Sequence, residues 1–123
     1  MSTNLTTLQS FKAMTHFLED YYNNTGSDTI ASLLSDTSLL PDGHTADPAA
    51  WNDWMKAIKK REYVTCLQAF QAMTNFLDAY YKRTSCSSED LKKILNSMRL
   101  KNGKIDNPYI LKLWTSCIQE ALA

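Results

Sequence analysis

The sequence predicts an all-α single domain of six helices, made of two tandem three-helix units packed together, and three observations carry that prediction. The first is a repeat: residues 8–22, LQSFKAMTHFLEDYY, return at 67–81 as LQAFQAMTNFLDAYY, with ten identities in fifteen positions at an offset of 59. The second is the punctuation after each copy: Thr25 or Thr84, a Ser/Asp-rich turn, a short apolar segment, Gly43 or Gly103, then Asp47-Pro48-to-Trp54 or Asn107-Pro108-to-Trp114. The third is that apolar residues inside the repeat recur at three and four positions, the period of a helix with one buried stripe. The units span approximately 5–60 and 64–122 of one 123-residue domain. Either alone buries too little surface to be more than marginal, so they are expected to share a core.

The first helix is predicted from Thr6 or Thr7, either able to cap it, to Asn23 or Asn24, with Leu8, Phe11, Met14, Phe17, Leu18, Tyr21 and Tyr22 as its stripe. Gly26 lets the chain leave with positive φ. A short second helix, Asp28 to Ser35, turns Ile30, Leu33 and Leu34 inward. Ser38 to Leu40 competes between strand and an irregular segment whose leucines plug the core; the latter is preferred at that length, before a Pro41-Asp42-Gly43 turn. Asp47 caps the third helix and Pro48 opens it, where a missing N–H costs nothing. Trp51, Trp54, Met55 and Ile58 point inward, and the helix ends near Lys60 or Arg61 among lysines that suit its dipole.

Arg61-Glu62-Tyr63 joins the units without Gly or Pro, so a fourth helix is expected to begin between Tyr63 and Thr65 and run to Lys82 or Arg83. The fifth starts at Ser87 or Ser88, with Asp90 placed for a capping-box contact from Ser87, and buries Leu91, Ile94, Leu95 and Met98. Asn102-Gly103 favours a tight turn and allows a small hairpin. In the sixth helix Asn107 caps, Pro108 starts, and Ile110, Leu111, Trp114, Cys117, Ile118 and Leu122 are candidates for its inward side.

Thirteen basic and thirteen acidic residues leave zero formal net charge, which argues against binding nucleic acid chiefly through its phosphates. The halves differ, however: residues 1–60 carry four Lys/Arg against seven Asp/Glu, and residues 61–123 nine against six, or −3 and +3. The acidic residues of the first half are assigned largely to turns (Asp28, Asp36, Asp42, Asp47), where they can face a partner. Three cysteines, Cys66, Cys86 and Cys117, have neither zinc spacing nor an even count, so a disulfide framework is not expected. No signal peptide or membrane-length apolar run is seen, and a cytoplasmic protein is the default.

Catalysis finds little support. His16 and His44 are the only histidines; Asn75 and Lys104 stand at their places in the second unit. No nucleophile, base and orienting group share a spacing that sequence can vouch for, and Glu19-Asp20 and Glu89-Asp90 are adjacent rather than on one helix face. No catalytic residue, cofactor site or metal site is assigned, and the chain is read as a non-enzyme. In each tyrosine pair, Tyr21-Tyr22 and Tyr80-Tyr81, one ring is expected in the core while its neighbour turns about 100° toward solvent. Tyr22 is therefore a candidate contact for a partner.

The first helix, with the stretch from Ser38 through Leu39-Leu40, Asp42-Gly43, Ala46-Asp47-Pro48-Ala49 and Trp51-Asn52-Asp53-Trp54, resembles small helical immunity proteins of bacterial contact-dependent growth inhibition systems. The resemblance covers residues 8–60 and reaches the second half only through its likeness to the first, where Asn107, Leu111 and Lys112 replace Asp47, Trp51 and Asn52. It implies a cytosolic protein that binds and blocks the carboxy-terminal domain of a secreted toxin, often a nuclease, with no direct contact to nucleic acid and no membrane partner. It transfers no individual inhibitory residue, because the shared motif is cap, turn and core. Physics supplies a separate expectation: an inhibitor of an enzyme with a positive cleft gains association rate from a rigid acidic face. Glu19, Asp20, Asp28, Asp36, Asp42 and Asp53, with Tyr22, are the candidate toxin-binding residues, and Asp47 adds to the charge. The rival function is a helical adaptor that binds another protein through a groove between units. A weaker rival is nucleic-acid binding along Lys92, Lys93, Arg99, Lys101 and Lys104.

Overall fold

The computed structural model describes residues 4–40, 44–83 and 89–123. Six helices carry the fold, α1 (Thr7–Thr25), α2 (Asp28–Thr37), α3 (Pro48–Ala57), α4 (Cys66–Arg83), α5 (Glu89–Ser97) and α6 (Pro108–Leu122). Four short strands accompany them: β1 (Asn4–Thr6), β2 (Tyr63–Thr65), β3 (Leu100–Lys101) and β4 (Lys104–Ile105). The expected turn Pro41-Asp42-Gly43, Thr84, Cys86 and the Ser87 capping contact lie outside the described residues.

Helix starts follow local chemistry. Thr6 caps α1 with a reciprocal box: its Oγ1 accepts from the Gln9 amide at 3.1 Å, and Gln9 Oε1 accepts from the Thr6 amide at 2.9 Å. Thr65 and Gln68 repeat both bonds at 3.1 and 2.9 Å ahead of α4. Asp47 and Asn107 cap α3 and α6 over Pro48 and Pro108 as expected. The cap of α2 is Ser27, whose Oγ accepts from Ile30 N, not Asp28. Gly26, at φ 65°, ends α1, its amide donating to the Tyr22 carbonyl.

Residues 63–65 are strand rather than the start of α4, and α3 stops at Ala57 rather than near Lys60. The reason for the second is backbone conformation: Lys59 and Lys60 take φ of 58° and 56°, which ends the helix and turns the chain into β2. β2 pairs antiparallel with β1 in the register Asn4↔Thr65, Leu5↔Val64, Thr6↔Tyr63. Leu5 and Val64 are buried at its centre, so this ribbon closes one side of the core. β3 and β4 form the small hairpin that Asn102-Gly103 allows, with φ of 54° and 75° at the turn. Residues 38–40 are the irregular segment expected, but only one leucine reaches the core: Leu39 packs against it and bridges Thr45, while Leu40 is exposed.

α6 lies along α1, α3 along α4, and α2 against α5. Each third helix thus packs on the long helix from the other half of the sequence, and the result is an all-α, six-helix single domain. Two tryptophans cross that arrangement. Trp54 meets Phe11 and Phe76 edge-on, both at 5.9 Å, while Trp114 meets Phe70 at 5.7 Å and Phe17 at 6.2 Å. Phe11, Met14, Phe17 and Leu18 of α1 are buried, as are Phe70, Met73, Phe76 and Leu77 of α4. Ser27 Oγ donates to Asp90 Oδ2 at 2.7 Å and Asn24 to the Tyr109 hydroxyl at 3.1 Å, tying the halves together at another edge. Four positions expected inside are instead exposed: Leu8, Leu67, Leu111 and Leu122. Their faces of α1, α4 and α6 have no helix laid over them, because the helical stripe is wider than its covering neighbours.

Candidate interaction surface

Acidic residues of the first half reach the surface from regular structure, which corrects the assignment of Asp28 and Asp36 to turns. Asp28 opens α2, where its charge suits the helix dipole, and Asp36 lies in the last turn of the same helix. Asp36, Asp47 and Asp53 line one cleft of about 200 Å³ between α2, α3 and the end of α4, with Tyr80 and Arg83 on its far wall. Asp47 is anchored twice, its carboxylate accepting from Ala49 N at 3.0 Å and its amide donating to the Asp36 carbonyl at 3.1 Å.

Arg83 Nη1 stands 2.9 Å from Asp53 Oδ2 while its guanidinium lies over the Tyr80 ring at 5.8 Å. That oxygen makes no hydrogen bond of good geometry. The short separation still makes an ion pair, and we treat the two as partners on Coulombic grounds. The Asp36 carboxylate has no ion-pair or hydrogen-bond partner among the described residues. The cleft therefore gathers three carboxylates: Asp36 without a partner among the described residues, Asp47 held by the start of α3, and Asp53 offset by Arg83.

The other candidates point elsewhere. Glu19 borders a separate groove of about 510 Å³ between α1 and α2, with Leu34, Ser35 and Leu39. Asp20 turns toward α6, where its Oδ2 accepts from the Cys117 thiol at 3.8 Å. Tyr22 is exposed, and Tyr21 packs on the core. Asp42 lies outside the described residues. Asp28 and Asp36 sit at opposite ends of α2, eight residues and roughly 12 Å apart. Asp36 and Asp53 are thus brought together, while Glu19, Asp20 and Asp28 do not line that cleft. The Tyr80 and Arg83 wall carries no sequence signal, since it arises where α3 meets a helix from the other half.

Burial, then Asp20 and Glu120, push the Cys117 thiol up to about 12, so it stays protonated and a poor nucleophile at neutral pH. His16 Nδ1 reaches Glu120 of α6 at 3.3 Å, closer than Glu19 on its own helix at 4.0 Å. Burial, followed by Asp90 and Tyr109, raises the Tyr21 hydroxyl. Among the described residues no group of three or more His, Cys, Asp or Glu is arranged to hold a metal. No described helix is long and apolar enough to cross a membrane.

A second surface feature lies on the opposite chemistry. Leu67, Ile105, Leu111, Trp114, Ile118 and Leu122 line an apolar groove of about 510 Å³ between the start of α4, the β3–β4 hairpin and α6. Lys104 is the charged residue on its wall. Sequence reasoning missed it by placing Leu67, Leu111 and Leu122 in the core; nothing in a helical period says whether a stripe is covered. No protein-family model, curated protein or solved structure matches this chain.

Proposed function

We propose that this protein is a stoichiometric inhibitor of the immunity type, which binds a toxin's carboxy-terminal domain, of nuclease chemistry, through the acidic side of its first half. The observation that carries the reading is the cleft in which Asp36, Asp47 and Asp53 meet on three packed elements, beside the stretch that resembles contact-dependent growth inhibition immunity proteins. A fixed cluster of carboxylates steers a positively charged partner and loses little entropy on docking. Glu19, Asp20, Asp28, Asp42 and Tyr22 remain candidate toxin contacts in this proposal, outside the cleft itself. The protein acts in the cytoplasm by binding, without catalysis, cofactor or metal.

The scaffold in this proposal is two tandem three-helix units, approximately 5–60 and 64–122. Its support is the sequence repeat, the twin capping boxes at Thr6 and Thr65, and the ribbon whose central pair, Leu5 and Val64, stands at matching repeat positions. Trp54 and Trp114 likewise exchange equivalent phenylalanines. These correspondences support a reading in which the units are related by rotation about an axis through the ribbon, as in an isologous dimer.

The test is co-expression with the carboxy-terminal domain of the protein encoded by the reading frame upstream of this gene: co-purification and rescue of growth support the reading, and failure of both sinks it. Reversing Asp28, Asp36 and Asp42 together is expected to slow association by roughly tenfold at low salt. An unchanged rate removes the acidic face while leaving inhibition standing. The apolar groove favours the second reading, a helical adaptor with no toxin partner, and that groove is open to direct test.

A further inference from the structure

We propose that the groove between α4, α6 and the β3–β4 hairpin is a docking site for an amphipathic, acidic helix of a partner protein, anchored by an aromatic or leucine side chain. This inference does not depend on the toxin reading.

Three observations define the occupant. First, α6 presents Leu111, Ile118 and Leu122 along the groove, with Leu111 and Leu122 47 % and 40 % exposed. Eleven residues of helix make a trough roughly 16 Å long, the length of three turns of a partner helix. Leu67 of α4 and Ile105 of β4 wall it, so apolar side chains at helical spacing fit, as in helix-in-groove recognition.

Second, the repeat indicates the size of the anchor. The place of Leu111 is taken in the first half by Trp51, which is half-buried and meets Phe11 edge-on at 5.3 Å. Leu8 and Met55 stand at the repeat positions of Leu67 and Thr115. The second half thus carries a smaller side chain where the first uses an indole, and an aromatic ring from outside is the complementary group.

Third, the one charged residue among those lining the groove is a cation, Lys104. Lys101 and Lys104 stand directly opposite each other in the hairpin, an arrangement that is unfavourable when left uncompensated. Neither has an ion-pair partner among the described residues, and none of the residues lining the groove is acidic. A carboxylate on the partner helix relieves this repulsion.

The probe is a fluorescein-labelled synthetic peptide of about four helical turns, with Trp and Leu at i, i+3, i+4 and i+7 and Glu elsewhere, titrated by anisotropy against the full chain. Saturable binding with a Kd on the order of 10 µM is expected at low salt, several-fold weaker for the Lys-faced counterpart. Leu111→Trp, which copies the first half's own solution, is expected to weaken binding at least about tenfold with unchanged helicity. Leu122→Lys, in the exposed last turn of α6, serves if that variant does not fold. Lys104→Glu is expected to abolish the preference for the acidic peptide. No saturation below about 1 mM, or equal binding by wild type and Leu111→Trp, overturns the proposal. So does equal binding of the Glu- and Lys-faced peptides. Sedimentation that shows a wild-type dimer lost in Leu111→Trp assigns the groove to a second copy, and dodecanoate binding that the peptide cannot displace assigns it to an acyl chain; either overturns it as well.

Discussion

Trp54 and Trp114 permit a subtraction that few proteins offer. Each indole lies edge-on between two phenylalanines at nearly matched distances, and each is essentially inaccessible, at 0 % and 2 % exposure. They differ at one atom. Trp114 Nε1 donates to the Cys66 carbonyl at 3.0 Å, whereas buried Trp54 Nε1 has no hydrogen-bond partner among the described residues. Replacing either by Phe removes similar apolar area and leaves a similar void, on the order of 1–2 kcal/mol, well under the about 3–5 kcal/mol of a truncation to Ala. Trp114→Phe also loses a bond worth about 1 kcal/mol net, while Trp54→Phe removes a buried unsatisfied donor and recovers about 1–3 kcal/mol. The Trp114 variant is therefore expected to be the less stable by about 2 kcal/mol or more. In urea at 25 °C, with a slope of about 1–2 kcal/mol/M, the two midpoints separate by about 1 M or more. Coincident midpoints, or a Trp54→Phe protein that unfolds first, refute the assignment of this difference to the indole N–H.

Thr6→Ala and Thr65→Ala each break one twin capping box and are expected to lose about 1 kcal/mol apiece in urea unfolding, additively because the boxes share no bond. Gly26→Ala meets no atom within 4 Å, so its loss of about 1 kcal/mol is purely the strain of φ 65°; Gly26→Asn is expected to lose less. Cys117 sets an alkaline limit. Its folded pKa is raised from 9.0 to about 12, so the folded state holds the proton longer; the contribution is complete below about pH 9 and is lost as pH rises toward 12. Melting temperatures should fall over that window and fall less in Cys117→Ala, while iodoacetamide at pH 8 should leave Cys117 unmodified in the folded chain.

Much of this molecule follows from short-range rules. The period of residues 8–22 and 67–81 determined two long helices, Asp47-Pro48 and Asn107-Pro108 determined where α3 and α6 start, and Gly26 determined where α1 ends. The Thr-x-x-Gln boxes at Thr6 and Thr65 were equally local, and with them the strand residues just before each helix were open to notice. Three-residue strands give no period of their own, which is why β1 and β2 were absent from the sequence reading.

Tertiary packing decided the rest, because burial is a property of neighbours rather than of a stripe. Leu111 and Ile118 share one face of α6, yet the first is exposed and the second buried, since α1 and α4 cover only part of that face. Asp36 and Asp53 are seventeen residues apart in sequence and meet in one cleft because α2 packs on α3 while α3 lies along α4. Sequence alone determined which segments coil and where they stop; the packing of third helices onto the opposite half's long helices decided which charges gather and which apolar surface stays open, since both depend on residues brought together from distant parts of the chain.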